Sequence, residues 1–273
     1  MAELIGTTVE NDMRVDPERA KILAENLRDV YQRVQNVAGG RKVRIIAVSK
    51  LKPATDILAL HRFSDPPQLD FGENYAQELT EKSRLLPRTI RWHMIGALQT
   101  NKCRPLAEQV PNLFCVGSVD AAKKADALEK GRAVVAAGMA QKNQKLRVLV
   151  QVNTSGEEGK SGVPPSEAAA LCRHIVEKCP HLRLGGLMTI GALARSRAVQ
   201  QAEGEEMDNE DFVVLKETRE RVVRELDGLV GEGDLELSMG MSADFEAAVR
   251  QGSDEVRVGT KVFGERPAKG ERR

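Results

Sequence analysis

The chain has 273 residues, which is enough for one large domain or two small ones. Its 41 Lys and Arg face 40 Asp and Glu, and aromatic residues make up only 3% of the composition. The balanced charge argues against a nucleic-acid-binding protein, and the scarcity of aromatic rings argues against surfaces on which bases stack. No apolar run reaches the roughly 18 residues that a membrane span requires, so we expect a soluble α/β protein that does not bind membranes.

Two further features of the sequence concern the cellular compartment. The amino-terminal stretch contains acidic side chains and no basic run, which disfavours a secretory signal peptide. The cysteines, Cys103, Cys115, Cys172 and Cys179, form no CxxC pair and show no zinc-ligand spacing with the histidines. We therefore expect free buried thiols, no metal site and a cytoplasmic location, with a mitochondrial pool left open for a eukaryote.

The first predicted element is an amino-terminal helix over residues 17–37. Asp16 is a suitable N-cap, and Pro17 stands in the first turn, where its missing N–H is not needed. Gly39 and Gly40 end the helix. One face of it carries apolar residues at helical spacing, namely Leu23, Leu27, Val30, Val34 and Val37. We expect this face to be buried.

Short apolar runs alternate with helical patterns over the rest of the chain. The predicted strands are 44–50, 69–74, 91–96, 113–118, 147–154, 183–191, 235–241 and 255–264. The predicted helices between them are 54–63, 73–85, 99–109, 120–141, 165–178, 210–230 and 242–251. Several strands are continuous apolar runs, which is typical of parallel strands buried on both faces. The alternation predicts a single (β/α)8 TIM barrel, and a doubly wound open sheet is the alternative.

We predict one domain over residues 1–273. Little chain follows the last predicted strand, so the amino-terminal helix, within 15–40, is expected to pack on the barrel in the place of a closing helix. The polar, acid-rich stretch 192–209 is interpreted as a flexible loop, with a lid as the alternative. Residues 265–273 are interpreted as a tail.

In such a barrel the functional residues lie where the strands end. Lys50 follows the first strand, so we expect its stem to be enclosed and its amine to face the barrel mouth. Burial favours the neutral amine, the form that attacks an aldehyde to make a Schiff base, whereas a lysine that merely extends to solvent is the alternative. Lys52 lies two residues further on and is a competing candidate. Other polar residues at strand ends are Glu73, Asn74, His93, Asn153, Thr154 and Thr189.

The loops after the seventh and eighth strands are the usual phosphate site of this fold. Ser238 offers a hydroxyl there, and Gly259 lets the backbone approach, so that the amides of Gly259 and Thr260 can donate to phosphate oxygens. Ser242 either contributes to the same site or only caps a helix over 243–251. The absence of GxGxxG and P-loop motifs disfavours a nucleotide ligand.

Seven stretches of the sequence carry a family signature. They are AVSKLKP (47–53), FGENYAQEL (71–79), WHMIGALQTNK (92–102), VLVQVNTSGEEGKSG (148–162), GLMTIG (186–191), LSMGMSADFEAAV (237–249) and EVRVGTKVFGER (255–266). On these stretches the chain resembles the pyridoxal phosphate homeostasis protein family, the single-barrel relatives of the alanine racemase N-terminal domain. The stretches span the predicted barrel almost end to end and occur in the family's order.

The resemblance implies a barrel of fold-type III that binds pyridoxal 5′-phosphate (PLP). Lys50 matches the family lysine that forms the covalent aldimine, and Arg257 matches the arginine that faces the pyridine nitrogen. The other positions that match the cofactor site are Asn74, Met94, Ile95, Ser238, Met239, Gly259 and Thr260. A charged guanidinium disfavours protonation of that nitrogen, and an unprotonated ring is a weaker electron sink.

The same resemblance favours a carrier over an enzyme. Alanine racemases add a second domain and use a tyrosine of the partner subunit as second base, whereas Tyr31 and Tyr75 of this chain do not match that base. The implied function is a non-catalytic, monomeric protein that buffers PLP or delivers it to apo-forms of PLP enzymes. A PLP-dependent amino-acid racemase is the main alternative, and a protein-interaction module that only retains the barrel is the third.

Overall fold

The structure is a parallel β-barrel surrounded by helices. The computed structural model describes residues 13–138, 145–192, 195, 208–231 and 233–265. Eight strands close into the barrel in chain order. They are β1 (Arg44–Val48), β2 (Asp70–Glu73), β3 (Arg91–Met94), β4 (Leu113–Val119), β5 (Leu146–Gln151), β6 (Leu182–Met188), β7 (Glu236–Met241) and β8 (Glu255–Val258). Because β1 pairs with both β2 and β8, the predicted TIM barrel is confirmed and the open sheet is wrong.

Helices cover the outside of the barrel. They are α1 (Pro17–Val37), α2 (Ala54–Phe63), α3 (Ala76–Leu85), α4 (Thr100–Gln109), α5 (Ala122–Gly138), α6 (Ala168–Lys178), α7 (Glu210–Glu225), α8 (Phe245–Arg250) and α9 (Thr260–Phe263), with a short 3₁₀ turn at Pro165–Glu167. Within the described part of the chain, none of them is long and apolar enough to cross a membrane. Most of the predicted loop 192–209, and the predicted tail beyond Glu265, lie outside the described residues.

The last strand is the main difference from the predicted elements. A strand over 255–264 is wrong, because β8 ends at Val258 and the next apolar residues, Val262 and Phe263, belong to α9. Both of these side chains are buried. Their apolar character therefore reflects a short helix that packs on the core, a pattern that a short strand would also produce.

Helix α1 packs against α2 on one side and against α8 and α9 on the other. Asp16 caps it by accepting from the N–H groups of Glu18 and Arg19. At its outer edge, Asn26 Nδ2 donates to the carbonyl of Val262 over 3.1 Å. The apolar side chains that it buries include Leu23, Leu27, Val30 and Val34. Helix α1 thus covers the barrel where α9 is too short to do so.

This packing predicts that substitutions at a buried and at an exposed position of α1 differ in their effect on stability. Leu27→Ala should lower the free energy of unfolding by about 2–5 kcal/mol, because it leaves a cavity in a fully buried interface. Ile22→Ala, at a side chain that is 49% exposed on the same helix, should lower it by less than about 1 kcal/mol. Urea unfolding of both variants measures the difference. Equal losses would show that α1 is not part of the core.

Candidate functional site

The amino-terminal end of the barrel interior is filled by charged side chains. Arg147 on β5 donates to Glu255 Oε2 on β8 over 3.2 Å and to Glu236 Oε2 on β7 over 2.7 Å. Arg44 on β1 contacts the same two carboxylates at 3.1 and 2.6 Å, respectively. Burial alone would raise the pKa of Glu255, but His93, Arg147 and Arg44 lower it to about 2. This layer is therefore ionised at neutral pH and occupies that end of the barrel.

His93 belongs to the charged end, so its expected place at the mouth is wrong. Its Nε2 lies 2.8 Å from Oδ1 of Asp70, the first residue of β2. Further along the lumen, Cys115, Leu149 and Met188 form a small buried apolar cluster. The interior is thus filled from the amino-terminal end, which leaves the carboxyl ends of the strands as the entrance for a ligand.

Lys50 lies in a tight turn directly after β1. The N–H of Lys52 closes this turn by donating to the carbonyl of Ser49 over 3.0 Å. The Lys50 side chain is half-buried. The ammonium group of Lys52 instead donates to the backbone carbonyls of residues 263–265 at 2.7–3.3 Å. These contacts hold Lys52 against the end of α9.

A buried polar network lies behind this turn, between β2 and α3. Glu73 Oε1 accepts from the hydroxyl of Ser49 and from Nζ of Lys82, each over 2.7 Å. Lys82 Nζ also donates to the Ser49 carbonyl over 2.9 Å and to Glu78 Oε1 over 2.7 Å. The N–H of Leu51 donates to that same Glu78 oxygen over 2.7 Å. The network therefore contacts the backbone on both sides of the lysine in the turn.

Glu73 is the titrating member of this network. Burial raises its pKa to about 7, because desolvation outweighs the attraction of Lys82. Its second oxygen, Oε2, is buried and has no hydrogen-bond partner among the described residues. Glu73 was predicted at a strand end without a partner, since Lys82 and Ser49 lie 9 and 24 positions away from it in the chain.

Arg257 crosses the mouth from β8. Its guanidinium donates to the hydroxyl and the carbonyl of Ser238 over 2.7 and 3.0 Å, and to the carbonyl of Thr189 over 2.6 Å. These acceptors are neutral, and burial lowers the pKa of Arg257, whereas the Glu255 and Asp244 carboxylates oppose that shift. A buried cation that is hydrogen-bonded to neutral groups retains its attraction for an electron-rich ligand.

Ser242 does not cap a helix. The N-cap position of α8 is held by Asp244, so capping by Ser242 is wrong. The Ser242 hydroxyl instead accepts from the N–H of Gly259 over 3.0 Å. Thr260 is exposed at the start of α9, where the first N–H groups of a helix have no intrahelical acceptor. The N–H groups of Val262 and Phe263 already donate to the Gly259 carbonyl, so the hydroxyl of Thr260 and the N–H groups of Thr260 and Lys261 are the remaining candidate donors of this turn.

The remaining matched residues occupy different environments. The side chains of Met94 and Met239 are fully buried in the main hydrophobic cluster of the protein. Ile95 and Asn74 are half-buried where β3 and β2 end, and Gly96 fits so closely against Asn74 that an added Cβ would lie 2.3 Å from the Asn74 carbonyl oxygen.

Two cavities adjoin the mouth. One of about 240 Å³ lies at the ends of β5 and β6, where the hydroxyls of Thr154 and Thr189 are 2.8 Å apart. Thr154 also donates to Asp211, a buried carboxylate at the start of α7. A larger cavity of about 640 Å³ lies outside the barrel between α3 and α4 and includes Asn74. The smaller cavity shares Thr189 with Arg257, and it therefore extends the mouth.

The four cysteines are free and buried, which confirms that part of the prediction. The fold nevertheless brings Cys179 together with Asp126 and His174, with ligand atoms within 4.8 Å of one another. Burial, with Glu129 and Asp126, raises the pKa of the Cys179 thiol to about 12. His174 Nε2 lies 2.7 Å from Asp126 Oδ1. This cluster joins α5 to α6 and was not visible in the sequence spacing.

Comparison with known proteins places this geometry among PLP-related barrels. A family model of the alanine racemase N-terminal domain matches residues 22–267. The pyridoxal phosphate homeostasis protein of Schizosaccharomyces pombe is 40% identical over 238 residues, covering 87% of this chain and 90% of that protein. The human protein of the same name is 41% identical over 253 residues, covering 88% and 85%, respectively.

Solved structures show the same similarity. PipY of Synechococcus elongatus with PLP bound superposes with a TM-score of 0.66 at 28% identity, covering 89% of this chain and all of that chain (100%). Alanine racemase of Corynebacterium glutamicum has a TM-score of 0.62 at 14% identity, covering 92% of this chain but 62% of the racemase. At this identity the racemase shares the barrel fold alone.

The raised pKa of Glu73 makes the free energy of unfolding depend on pH. The protonated carboxyl is favoured in the folded state, so its contribution to stability is complete below pH 4.5 and is lost as the pH rises through about 7. In the wild-type protein the free energy of unfolding should therefore fall with rising pH over this window, by at most about 1.4 kcal/mol per pH unit from this group.

Glu73→Gln should remove that contribution, because an amide does not titrate. The measurement is urea unfolding from pH 4.5 to 7.5, taken as the difference between the wild type and the variant. Glu81→Gln, at an exposed position of α3, is the matched control and should keep the wild-type slope. Parallel profiles for wild type and Glu73→Gln would contradict the assignment.

Proposed function

We propose a PLP-handling role for this chain, which belongs to the pyridoxal phosphate homeostasis protein family. In this role it binds PLP at the barrel mouth, buffers the free aldehyde and delivers the cofactor to apo-forms of PLP enzymes, acting as a monomer. The observation that carries the proposal is the position of Lys50 and Arg257 at one open end of a barrel whose other end is filled. The PLP bound to the relative PipY supports it.

The residues at the mouth fit the phosphate group. Ser238 and Thr260 supply hydroxyls, and the first turn of α9 supplies backbone N–H groups. At Gly259 the backbone has φ −110°, and an added Cβ would lie 3.5 Å from Val48, an ordinary contact. The protein itself therefore does not require glycine at 259. Close approach of a phosphate to this backbone accounts for the glycine.

Lys50 is the proposed covalent partner of the aldehyde. Its neutral Nζ attacks the carbonyl carbon and forms a C–N bond. Both Nζ protons are then transferred, directly or through solvent, to the former carbonyl oxygen, which leaves as water while the C–N bond becomes a C=N bond. Lys52 is disfavoured in this role, since three backbone carbonyls hold its ammonium group.

Arg257 is proposed to face the pyridine nitrogen and keep it unprotonated. Its hydrogen bonds to Ser238 and Thr189 fix the guanidinium plane, which leaves the group little freedom to move away. PLP held beside a permanent cation is a weak electron sink for carbanion chemistry. The arrangement therefore suits storage and release of PLP better than catalysis at the amino-acid α-carbon.

A racemase of the alanine racemase type is the second candidate, because the barrel folds are alike. Such an enzyme needs a second base on the far face of the ligand. Tyr31 lies on α1 and donates to Gln68 over 2.9 Å, outside the barrel. Tyr75 precedes α3 and is 56% exposed. Neither tyrosine is placed to act opposite Lys50, which supports the non-catalytic role.

The covalent assignment is tested by reduction. Wild-type protein incubated with PLP and borohydride should carry a pyridoxyl adduct on Lys50, and Lys50→Ala should carry none at Lys52. Lys50→Ala should retain weakened PLP binding, since the phosphate contacts persist. Peptide mass spectrometry locates the adduct, and equilibrium dialysis measures the affinity. A wild-type adduct on Lys52, or no adduct and no binding as expected of a protein-interaction module, would overturn the proposal.

The control for this experiment alters the phosphate site and leaves the lysine in place. The double variant Ser238→Ala, Thr260→Ala removes two hydroxyl donors, and its affinity for PLP should fall by roughly tenfold or more. Its adduct should still form on Lys50 at high PLP concentration. Unchanged affinity would contradict the proposed phosphate contacts.

Catalysis is tested separately. Wild-type protein saturated with PLP should interconvert L- and D-alanine no faster than the same concentration of free PLP does. Chiral chromatography of the amino acid over time measures this. Turnover that exceeds free PLP in the wild type and disappears in Lys50→Ala would establish the racemase and overturn the carrier role.

A further inference from the structure

We propose that Lys82 is a positioning residue, which locks the turn that carries Lys50 and so fixes where that amine points. The inference rests on the proposed function, because it concerns the rate at which Lys50 reacts with an aldehyde. Lys82 lies on α3, outside the barrel, and reaches the turn only through the buried network behind it. It matches no residue of the ligand site described above.

The geometry of the turn shows what has to be locked. Residues 49–52 form a four-residue turn closed by the hydrogen bond from the N–H of Lys52 to the carbonyl of Ser49. Leu51, the third residue of the turn, has φ +61°, and it is the only non-glycine residue with positive φ in the described chain. Positive φ at the third residue alone is the signature of a type II turn.

A type II turn and a type I turn differ by a flip of the peptide bond between their two central residues. Here that peptide joins Lys50 to Leu51. The flip would rotate the backbone from which the lysine side chain departs, and it would remove Leu51 from a left-handed conformation that is unfavourable for a branched residue. The unlocked turn is therefore expected to leave the observed state.

The network opposes this flip at two points. Glu78 accepts the N–H of Leu51, which belongs to the flipping peptide, over 2.7 Å. Lys82 Nζ donates to the carbonyl of Ser49 over 2.9 Å, on the other side of the turn. Because Lys82 also binds Glu78 directly, a single ammonium group joins both points.

Glu73 anchors the ammonium group to the barrel. It lies at the end of β2, is fully buried, and accepts from Lys82 Nζ and from the Ser49 hydroxyl. Loss of Lys82 would leave Glu73 buried without its cation and would remove the ammonium group that holds Glu78 Oε1 beside Leu51, so the Glu78 side chain would no longer be fixed at that position. The lock therefore fails as a unit when Lys82 is removed.

The test compares a reaction with simple binding. Lys82→Met should slow formation of the visible imine band with PLP by roughly tenfold to a hundredfold, since the amine is no longer held in place. Its affinity for pyridoxine 5′-phosphate, which carries an alcohol in place of the aldehyde, should stay within about twofold of wild type. Lys102→Met, at an exposed lysine of α4, is the matched control and should behave as wild type in both measurements.

A rescue variant separates this role from general stabilisation. Glycine adopts positive φ without strain, so Leu51→Gly should recover roughly fivefold of the lost imine rate when it is added to Lys82→Met. Leu51→Gly alone should react like wild type. If Lys82 only stabilised the fold, Leu51→Gly would not recover the imine rate, because glycine at 51 does not replace the contacts that Lys82 makes.

The outcomes are distinguishable. A folded Lys82→Met protein with the wild-type imine rate overturns the positioning role, as does a parallel loss of imine rate and pyridoxine 5′-phosphate affinity. A wild-type protein without an adduct on Lys50 overturns the proposed function instead. Should Lys82→Met fail to fold, Glu78→Gln removes one charge of the lock and is expected to slow imine formation several-fold, and an unchanged rate in that variant also overturns the role.

Discussion

The ion pair between Arg147 and Glu255 is the constraint that organises this barrel. A buried pair of this kind is sensitive to the loss of either partner, because the remaining charge is left without water or a counter-ion. The lack of a side chain at Gly185 leaves the space that Arg147 occupies, because an added Cβ at Gly185 would lie 2.5 Å from Arg147 Nε. Once Arg147 fills the lumen, together with Glu236, no ligand can reach the interior from that end. The carboxyl ends of the strands are then the open end of this barrel.

Arg257 shows the consequence, since it is the second guanidinium in the same lumen. Arg147 is matched by carboxylates, whereas Arg257 is hydrogen-bonded to the hydroxyl and carbonyl oxygens of Ser238 and Thr189. The two arginines thus differ in their direct partners, which are carboxylates for Arg147 and neutral oxygens for Arg257. A small phosphate-bearing aromatic molecule needs no basic surface in such a barrel, which agrees with the near-zero net charge of the chain.

Local patterns in the sequence were sufficient for the barrel and for α1, because apolar runs and helix caps act over a few residues. They failed at α9, where Val262 and Phe263 resemble the end of a strand. They failed more completely at the network behind Lys50. The Glu78 and Lys82 pair has the spacing of one helical turn, but nothing in the chain order reveals that it meets Ser49. Buried polar contacts between distant segments depend on the closed barrel and cannot be read before it is known.

The network also explains why a strained leucine, and not a glycine, can follow the lysine at 51. A glycine would adopt this turn without strain, so the turn would depend less on the network behind it. Leucine makes the turn dependent on Lys82 and Glu78, which are in turn held by Glu73. In the proposed role, a protein that must both capture and release an aldehyde gains from this dependence, because whatever displaces α3 would loosen the amine without touching the phosphate site. Capture and retention of PLP would then be controlled by separate parts of the barrel mouth.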